Sequence, residues 1–207
     1  GANLLLIAAG AALFFLFENN GTLRELSASA KLYASVFMPV TARTTGFQLF
    51  DLGGMGTLST LLILTLMFIG GAPASAAGGI KVTAAAALWT QATALLRGSC
   101  EPKLCGEKLG PSLLAKAAAV ALLLCGVSVA ASLLLWLLEP QPYMKVLFEA
   151  VSAINTVGLS MGITPSLSPA SKAILIICMF LGRIGPILIV ISHNTRSPHK
   201  DEPVLLG

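Results

Sequence analysis

Two polar strips, each centred on a glycine, interrupt a chain that is otherwise mostly apolar. The first strip, TARTTGFQLF, covers residues 41–50, and the second strip, AINTVGLSMG, covers residues 153–162. A cation that leaves water needs oxygen atoms in place of its hydration shell, and backbone carbonyls supply them without a fixed charge. Glycine lets successive carbonyls turn toward one axis because it has no Cβ. The strips therefore predict a lining of main-chain oxygens along an ion pathway.

Each strip follows a predicted helix that is too short to cross a bilayer. Residues 28–40 and 143–154 each form about three helical turns, whereas a membrane span needs roughly 20 apolar residues. A half-helix that ends at a strip directs the negative end of its dipole there, which favours cations. The tripeptide Thr156-Val157-Gly158 also matches the centre of the potassium-channel filter sequence TVGYG.

The remaining segments predict an all-α integral membrane protein. Of the 207 residues, 56% are hydrophobic and 11% are charged, whereas soluble domains average about 25% charged residues. The mean hydropathy is +0.86. The net charge of +4 contains no basic run that would indicate nucleic acid. The predicted spans are residues 4–17, 113–138 and 174–191, with further apolar segments at 55–69 and 80–96.

A run of small residues, GGAPASAAGGIK, separates two of these apolar segments at positions 70–81. Glycine costs about 1 kcal/mol in a helix interior and proline about 3 kcal/mol, so the run predicts a helix broken at membrane depth. Backbone freed there must be buried in protein or line a wet cavity, as in the discontinuous helices of transporters. A short loop between two marginal spans is the alternative.

The order span, half-helix, strip and span occurs twice. FMPVTARTTGF beside FEAVSAINTVGL matches Thr44 to Thr156 and Gly46 to Gly158, with one more residue in the second copy. The start within an apolar helix, without a Met, predicts the C-terminal part of a longer protein. The expected division is a repeat at 1–97 with a broken second helix, a cytoplasmic linker at 98–112, a second repeat at 113–194 and a cytoplasmic tail at 195–207. Basic residues in the linker and the tail set this orientation, which places the strips outside.

Four motifs in the same order resemble a known family. RTTGF at 43–47, GGAPASAAGGIK at 70–81, NTVGLSMGITP at 155–165 and GRIGP at 182–186 are similar to the third and fourth repeats of the Ktr/Trk/HKT superfamily of potassium transporters. Within that superfamily, GRIGP makes the Ktr membrane subunit, KtrB, the nearest resemblance.

The resemblance implies a potassium-channel-like pore of four repeats, each a membrane helix, a pore helix, a filter strand and a second membrane helix. The implied filter residues are Thr44, Thr45, Gly46, Phe47, Asn155, Thr156, Val157, Gly158 and Leu159. Potassium would be held by the backbone carbonyls of Thr45, Gly46, Val157 and Gly158.

The resemblance also implies a gate, in which an intramembrane loop and an arginine control the path. The implied gate residues are Gly70, Gly71, Pro73, Ser75, Gly78, Gly79 and Arg183. A cation inside a span costs about 2.5–3.5 kcal/mol on insertion scales, so Arg183 must find water, carbonyls or an acid. An arginine that reaches the membrane interface is the alternative.

The implied function is potassium uptake across the plasma membrane by a multi-pass subunit of the bacterial inner membrane. The resemblance implies potassium as the transported ion, sodium as an activator and no covalently bound cofactor. It further implies membrane lipid around the protein, a homodimer and a cytoplasmic nucleotide-binding ring resembling KtrA, with no nucleic acid.

Three other interpretations remain at this point. A secondary transporter of another solute would use the broken helix as its binding site, but that class favours inverted repeats and these repeats share one orientation. An enzyme would need a nucleophile with a base or a metal cluster at membrane depth, and both histidines come after residue 191, where the last predicted span ends. The chain alone would also be inactive if its two strips supply only half of a fourfold filter. Potassium over sodium preference and channel-like or coupled transport are left open.

Overall fold

The structure, a computed structural model, describes residues 2–71, 78–97, 103–104, 107–108 and 110–194. Its helices in chain order are α1 (Ala2–Glu18), α2 (Ala28–Thr41), α3 (Thr57–Phe68), α4 (Val82–Leu96), α5 (Pro111–Leu138), α6 (Tyr143–Ile154) and α7 (Pro169–Asn194). Short 3-10 turns occur at Leu52–Gly54 and Thr164–Ser166.

The helix lengths agree with the distinction between spans and half-helices. Helix α5 has 28 residues and α7 has 26, whereas α2 has 14 and α6 has 12. At about 1.5 Å per residue, α6 is roughly 18 Å long, which is shorter than a hydrocarbon core of about 30 Å. Among the described residues, the helical segment Ser112–Leu138 is both long and apolar enough to cross a membrane. This segment exposes large apolar side chains such as Leu122 and Leu137, which suits contact with lipid tails.

Among the described residues, the structure departs from the predicted all-α fold at one place, in the linker. Strands β1 (Lys103–Leu104) and β2 (Glu107–Lys108) pair in antiparallel fashion, with Lys103 opposite Lys108. Two-residue strands carry no periodic apolar pattern, so nothing in the sequence distinguished them from an irregular connection.

Two groups of helices form two apolar clusters. Helix α1 packs against α2 and α3, and α5 packs against α6 and α7. Gly10 of α1 allows the first group to close, since a Cβ there would lie 3.0 Å from the Pro39 Cβ and 3.2 Å from a Leu66 methyl carbon. The first cluster also contains Val157 and Leu159, so the second strip packs into the core formed by the first three helices.

A buried glutamate joins the first and third helix of each group in the same way. Glu18, the last residue of α1, accepts a hydrogen bond at 2.9 Å from the backbone N–H of Gly56, the residue that caps the N-terminus of α3. Glu139 directly follows α5 and accepts one at 2.8 Å from the N–H of Ser168, which directly precedes α7. A carboxylate satisfies free N–H groups and complements the dipole at a helix N-terminus. The two contacts fix where α3 and α7 begin.

Candidate functional site

Each half-helix ends directly at a glycine strip. In both cases a backbone N–H of the strip donates a hydrogen bond to a carbonyl in the last turn of the helix. Helix α2 ends at Thr41, whose carbonyl accepts hydrogen bonds from the N–H of Thr45 at 3.1 Å and of Gly46 at 3.2 Å. Helix α6 ends at Ile154, and the N–H of Val157 donates to the Ser152 carbonyl at 2.9 Å. The C-terminal ends of both helix dipoles therefore point into the strips.

Each strip has a positive φ angle at two positions, with one residue between them. Thr44 and Thr156 have φ angles of +70° and +53°, and Gly46 and Gly158 have φ angles of +77° and +94°. A positive φ costs residues with a Cβ roughly 1–2 kcal/mol, and such conformations cluster at functional sites. These are the same two pairs that the sequence comparison of the strips matched.

The structure brings the two strips into contact. A Cβ on Gly46 would collide with the Val157 carbonyl oxygen, and one on Gly158 would lie 3.6 Å from the Gly46 Cα. A second contact joins them further along, where the Gln48 side-chain amide donates to the Ser160 carbonyl at 2.7 Å. The strips are therefore neighbours in space although more than a hundred residues separate them in sequence.

The predicted filter residues differ in their exposure. Thr45, Phe47 and Gly158 are exposed, and Phe47 has 68% of its surface accessible. The half-buried members are Thr44, Gly46 and Thr156. The buried members are Asn155, Val157 and Leu159. Each strip thus contains both solvent-exposed residues and residues that are at least half-buried. Ion binding by the carbonyls of Thr45, Gly46, Val157 and Gly158 stays a prediction.

Between α3 and α4 the structure describes residues 69–71 and 78–81, which are not helical, and these two segments pair with each other. The Gly70 N–H donates to the Ile80 carbonyl at 2.8 Å, and the Ile80 N–H donates to the Phe68 carbonyl at 3.0 Å. A Cβ on Gly70 would collide with the Gly78 carbonyl oxygen, so the loop ends approach closely. The flanking helices have 12 and 15 residues, too short for two separate spans of about 20.

The predicted gate residues divide between described and undescribed parts of the chain. Gly70 and Gly71 lie at one end of the loop, and Gly78 and Gly79 lie at the other. Pro73 and Ser75 lie outside the described residues.

The far end of the loop lies against the second strip. A Cβ on Gly78 would lie 2.5 Å from the Asn155 carbonyl oxygen and would also collide with the Thr156 hydroxyl. Gly79 has a φ of +72°, and a Cβ there would lie 3.1 Å from the Asn155 Oδ1. A loop that moved here would act directly on the backbone of the strip.

Arg183 stands on α7, beside a close contact between α7 and α6. Gly182 is buried, and a Cβ on it would collide with the carbonyl oxygen of Ile154, the last residue of α6. Arg183 itself is exposed, and its positive charge interacts with that of Lys81, the residue that caps the N-terminus of α4. Arg183 therefore lies near the end of the loop. The role of Arg183 as a gate residue stays a prediction.

Glu149 is a site residue that sequence reasoning missed. It is buried in α6, and one carboxylate oxygen accepts hydrogen bonds from the Ser160 hydroxyl at 2.5 Å and the Met161 N–H at 3.0 Å. The other oxygen accepts one at 2.8 Å from the Thr164 hydroxyl. This carboxylate therefore holds the chain that leaves the second strip. An acid in the middle of a mainly apolar half-helix was the signal, since such residues are costly at membrane depth.

Arg43 and Gln48, within the first strip, are two more contact residues that received no individual role from the sequence. Arg43 donates through Nη2 to the Gly70 carbonyl at 3.0 Å and to the Asn3 side chain. A charged side chain next to a filter-like threonine was visible in the sequence, but its acceptors lie 27 and 40 residues away.

Comparison with protein-family models gives one match across nearly the whole chain. The model described as "Cation transport protein" (TrkH) matches residues 2–200. The chain is 40% identical over 176 residues to the Ktr system potassium uptake protein B of Bacillus subtilis, which covers 85% of this chain and 40% of that protein. It is 33% identical over 215 residues to the potassium/sodium uptake protein NtpJ of Enterococcus hirae, covering 98% of this chain and 48% of that protein.

A solved structure has the same fold. The crystal structure of the potassium transporter TrkH from Vibrio parahaemolyticus superimposes with a TM-score of 0.76 at 20% sequence identity. The match covers 93% of this chain and 43% of that one. The chain thus spans less than half the length of each of these proteins.

Proposed function

Because the chain belongs to the TrkH family of cation transport proteins, we propose that it forms part of the ion pathway of a potassium-uptake transporter in the plasma membrane. The family consists of membrane ion transporters and not of enzymes. Relatives named for potassium or potassium/sodium uptake share 33–40% of their residues with it over the matched lengths. Since the chain covers 40–48% of those relatives, the activity of the whole protein is part of the proposal.

The observation that carries the proposal is the contact between the strips at Gly46 and Val157. Two strands with the same unusual backbone lie side by side, each at the C-terminal end of a half-helix. This arrangement suits two adjacent walls of a pore in which four repeats surround one axis. The other two walls would come from further repeats of the native polypeptide.

In this pore, the carbonyls of Thr45, Gly46, Val157 and Gly158 replace the water around a potassium ion. The dipoles of α2 and α6 add negative potential at the same place, which favours any cation over an anion. Each strand has one filter glycine, against two in TVGYG. We expect fewer well-formed ion sites and weaker selectivity than in a potassium channel.

The Gly70–Lys81 loop gates the path by moving against the second strip. The contacts of Gly78 and Gly79 with Asn155 and Thr156 support this part, since motion there changes the filter backbone first. Arg183 and Lys81 place two positive charges near the end of the loop, where they oppose the passage of cations.

The proposed assembly follows the family resemblance. The membrane subunit forms a homodimer with one pore in each copy, sodium activates it, and a cytoplasmic nucleotide-binding ring resembling KtrA controls it. Affinity purification of the tagged native protein, followed by mass determination of the complex, tests both partners.

Growth of a potassium-uptake-deficient bacterium at low potassium tests the function. The native polypeptide that carries this chain should rescue growth. Gly158→Ser should lose selectivity against sodium, because a side chain at φ +94° disturbs the carbonyls. Arg183→Ala should raise potassium flux, because it removes a positive charge near the loop.

Gly126→Ser on α5 is the matched control, since a Cβ at Gly126 would meet nothing within 4 Å. It should rescue growth as well as the wild type and keep its selectivity. Rescue with unchanged selectivity in Gly158→Ser would contradict the filter assignment. Failure of the wild type to take up potassium would contradict the function.

A further inference from the structure

The Gln48 side chain joins the two strips at matched positions. Gln48 and Ser160 each lie two residues after the filter glycine of their strip, Gly46 and Gly158. The Gln48 amide donates to the Ser160 carbonyl at 2.7 Å, and within the described part of the chain this is the only hydrogen bond between the strips. The two filter glycines are thus followed closely by a bond that fixes the distance between their strands.

The buried carboxylate of Glu149 holds Ser160 from its other side. The Ser160 hydroxyl donates to Glu149 Oε1, which also accepts a hydrogen bond from the Met161 N–H at 3.0 Å. The second carboxylate oxygen accepts one from the Thr164 hydroxyl at 2.8 Å, so both oxygens have donors. Hydrogen bonds to a carboxylate are roughly twice as strong as those between neutral groups. Glu149 therefore fixes the carbonyl to which Gln48 binds.

The first half-helix has no carboxylate at the matching position. When FMPVTARTTGF is set beside FEAVSAINTVGL, Met38 stands where the second half-helix has Glu149. Met38 is fully buried in the first apolar cluster. The first strip has an anchor of its own, because the Thr41 hydroxyl donates to the Phe47 carbonyl at 2.7 Å. Beyond Phe47, the first strip is positioned against the second through Gln48.

The spacing between the two strips bears on ion selectivity. Selectivity depends on where the carbonyls lie, whether it arises from the size of the cavity or from the number of coordinating carbonyls. A glycine has no side chain that could hold its own carbonyl in place, so residues nearby must do so. The segments that follow the strips also remain in contact, since a Cβ on Gly53 would lie 3.2 Å from the Met161 carbonyl oxygen.

We propose that Gln48 and Glu149 are positioning residues for ion selectivity, which act from opposite sides on Ser160 and fix the spacing of the two strips. The inference rests on the proposed function, because it takes the strips as walls of a filter. Both residues act through Ser160 and not on the ion. Their removal should therefore change the choice between potassium and sodium.

The ratio of rubidium to sodium uptake, in cells that express the native polypeptide, tests this role. A general loss of folded protein lowers both uptakes equally and leaves the ratio as it was. Gln48→Met keeps the length of the side chain and removes the donor. The ratio should then fall about fivefold, the change in an equilibrium that corresponds to one hydrogen bond between neutral groups.

Gln48→Glu places an acceptor against the Ser160 carbonyl, so the ratio should fall at least as far as in Gln48→Met. Its added negative charge attracts both cations alike and does not account for a changed ratio. The matched control is Gln141→Met, in the turn between α5 and α6, which should keep the wild-type ratio. An unchanged ratio in both Gln48 variants would overturn the proposal.

A double-mutant cycle tests whether Gln48 and Glu149 act through the same segment. Glu149→Ala alone should lower the ratio. Gln48→Met should lower it by a smaller factor in the Glu149→Ala background than in the wild type, because Ser160 has then lost its other anchor. Equal factors in the two backgrounds would show independent effects and overturn the proposal. If Glu149→Ala does not reach the membrane, Ser160→Ala takes its place, since it removes the hydroxyl that Glu149 binds and leaves the carbonyl that Gln48 binds.

The outcomes also separate this proposal from the proposed function. Unchanged selectivity in Gly158→Ser contradicts the filter itself, whatever Gln48 does. An altered ratio in Gly158→Ser together with a wild-type ratio in both Gln48 variants contradicts the positioning role alone.

Discussion

Gly46 faces the carbonyl oxygen of Val157, so closely that any side chain at position 46 would collide with that oxygen. Gly46 also has a φ of +77°, in the left-handed region that favours glycine. Two independent constraints, a contact and a backbone conformation, therefore require glycine at this position. The first strip would have to separate from the second to accept a methyl group.

Gly46→Ala should disturb the strips and reduce selectivity between potassium and sodium. The left-handed conformation costs an alanine about 1–2 kcal/mol, and the collision with Val157 adds to that cost. Competition of sodium with rubidium uptake in cells measures the loss of selectivity, and thermal unfolding of the purified native protein measures the loss of stability.

Two other glycines separate the two constraints on Gly46. Gly162 has a φ of +83° but nothing within 4 Å of a built Cβ, so Gly162→Ala carries the conformational cost alone. Gly126 lies in α5 with open space around it, and Gly126→Ala should gain up to about 1 kcal/mol of helix stability. Gly126→Ala should be the most stable of the three variants, Gly162→Ala the next and Gly46→Ala the least stable. Equal effects of the last two would show that the contact with Val157 contributes nothing.

Glu149→Ala should release the chain that follows the second strip. The substitution leaves the Met161 N–H without its acceptor, and a buried unsatisfied donor costs about 1–3 kcal/mol. The hydroxyls of Ser160 and Thr164 lose their acceptor as well. Glu149→Gln keeps one acceptor oxygen and a similar shape, so it should lose less. Unfolding temperature and selectivity of the two variants check this order, and an equally mild effect of alanine and glutamine would contradict it.

The sequence predicted the local parts of the site because those parts depend on neighbours along the chain. A half-helix needs only its own apolar residues, and the matching of Gly46 to Gly158 needs only two short strips. The backbone angles at both pairs of matched residues agree with that prediction. The break between α3 and α4 is likewise visible in a run of glycine, alanine and proline.

The contacts between distant segments could not be predicted in the same way. The Gln48 side chain donates to a carbonyl 112 residues away, and that of Arg43 to one 27 residues away. A backbone carbonyl has the same chemistry at every position, so the sequence does not distinguish the acceptor from any other residue. The packing of α3 against α6, with residues of both strips in the same apolar cluster, brings these segments together.

Gly182→Ala should push α7 away from α6. A methyl group at position 182 would collide with the carbonyl oxygen of Ile154, which belongs to the backbone and cannot rotate away. Overpacking of this kind costs about 1–3 kcal/mol, which exceeds the roughly 1 kcal/mol that alanine gains over glycine in a helix. Thermal unfolding and potassium uptake of the native protein should both decrease. Gly126→Ala is again the control, and a gain in stability as in that control would contradict the contact.

Glu139→Gln should destabilise the protein at neutral pH and have little effect in acid. Hydrogen bonds from the hydroxyls of Ser168 and Ser171, and from the Ser168 N–H, hold the pKa of Glu139 below its ordinary value of 4.5. A carboxyl whose pKa is lower in the folded state stabilises that state above its unfolded pKa, and the contribution disappears as the pH falls through the folded pKa. Glutamine keeps an acceptor for the Ser168 N–H but has no charge to lose. The difference in unfolding temperature between wild type and Glu139→Gln should therefore be largest near pH 7 and should disappear below about pH 4. The matched control is Glu25→Gln, at an exposed glutamate in the turn between α1 and α2, which should show no such difference. A Glu139→Gln difference that stays constant from neutral to acidic pH would show that the shape of the side chain, and not its charge, holds the start of α7.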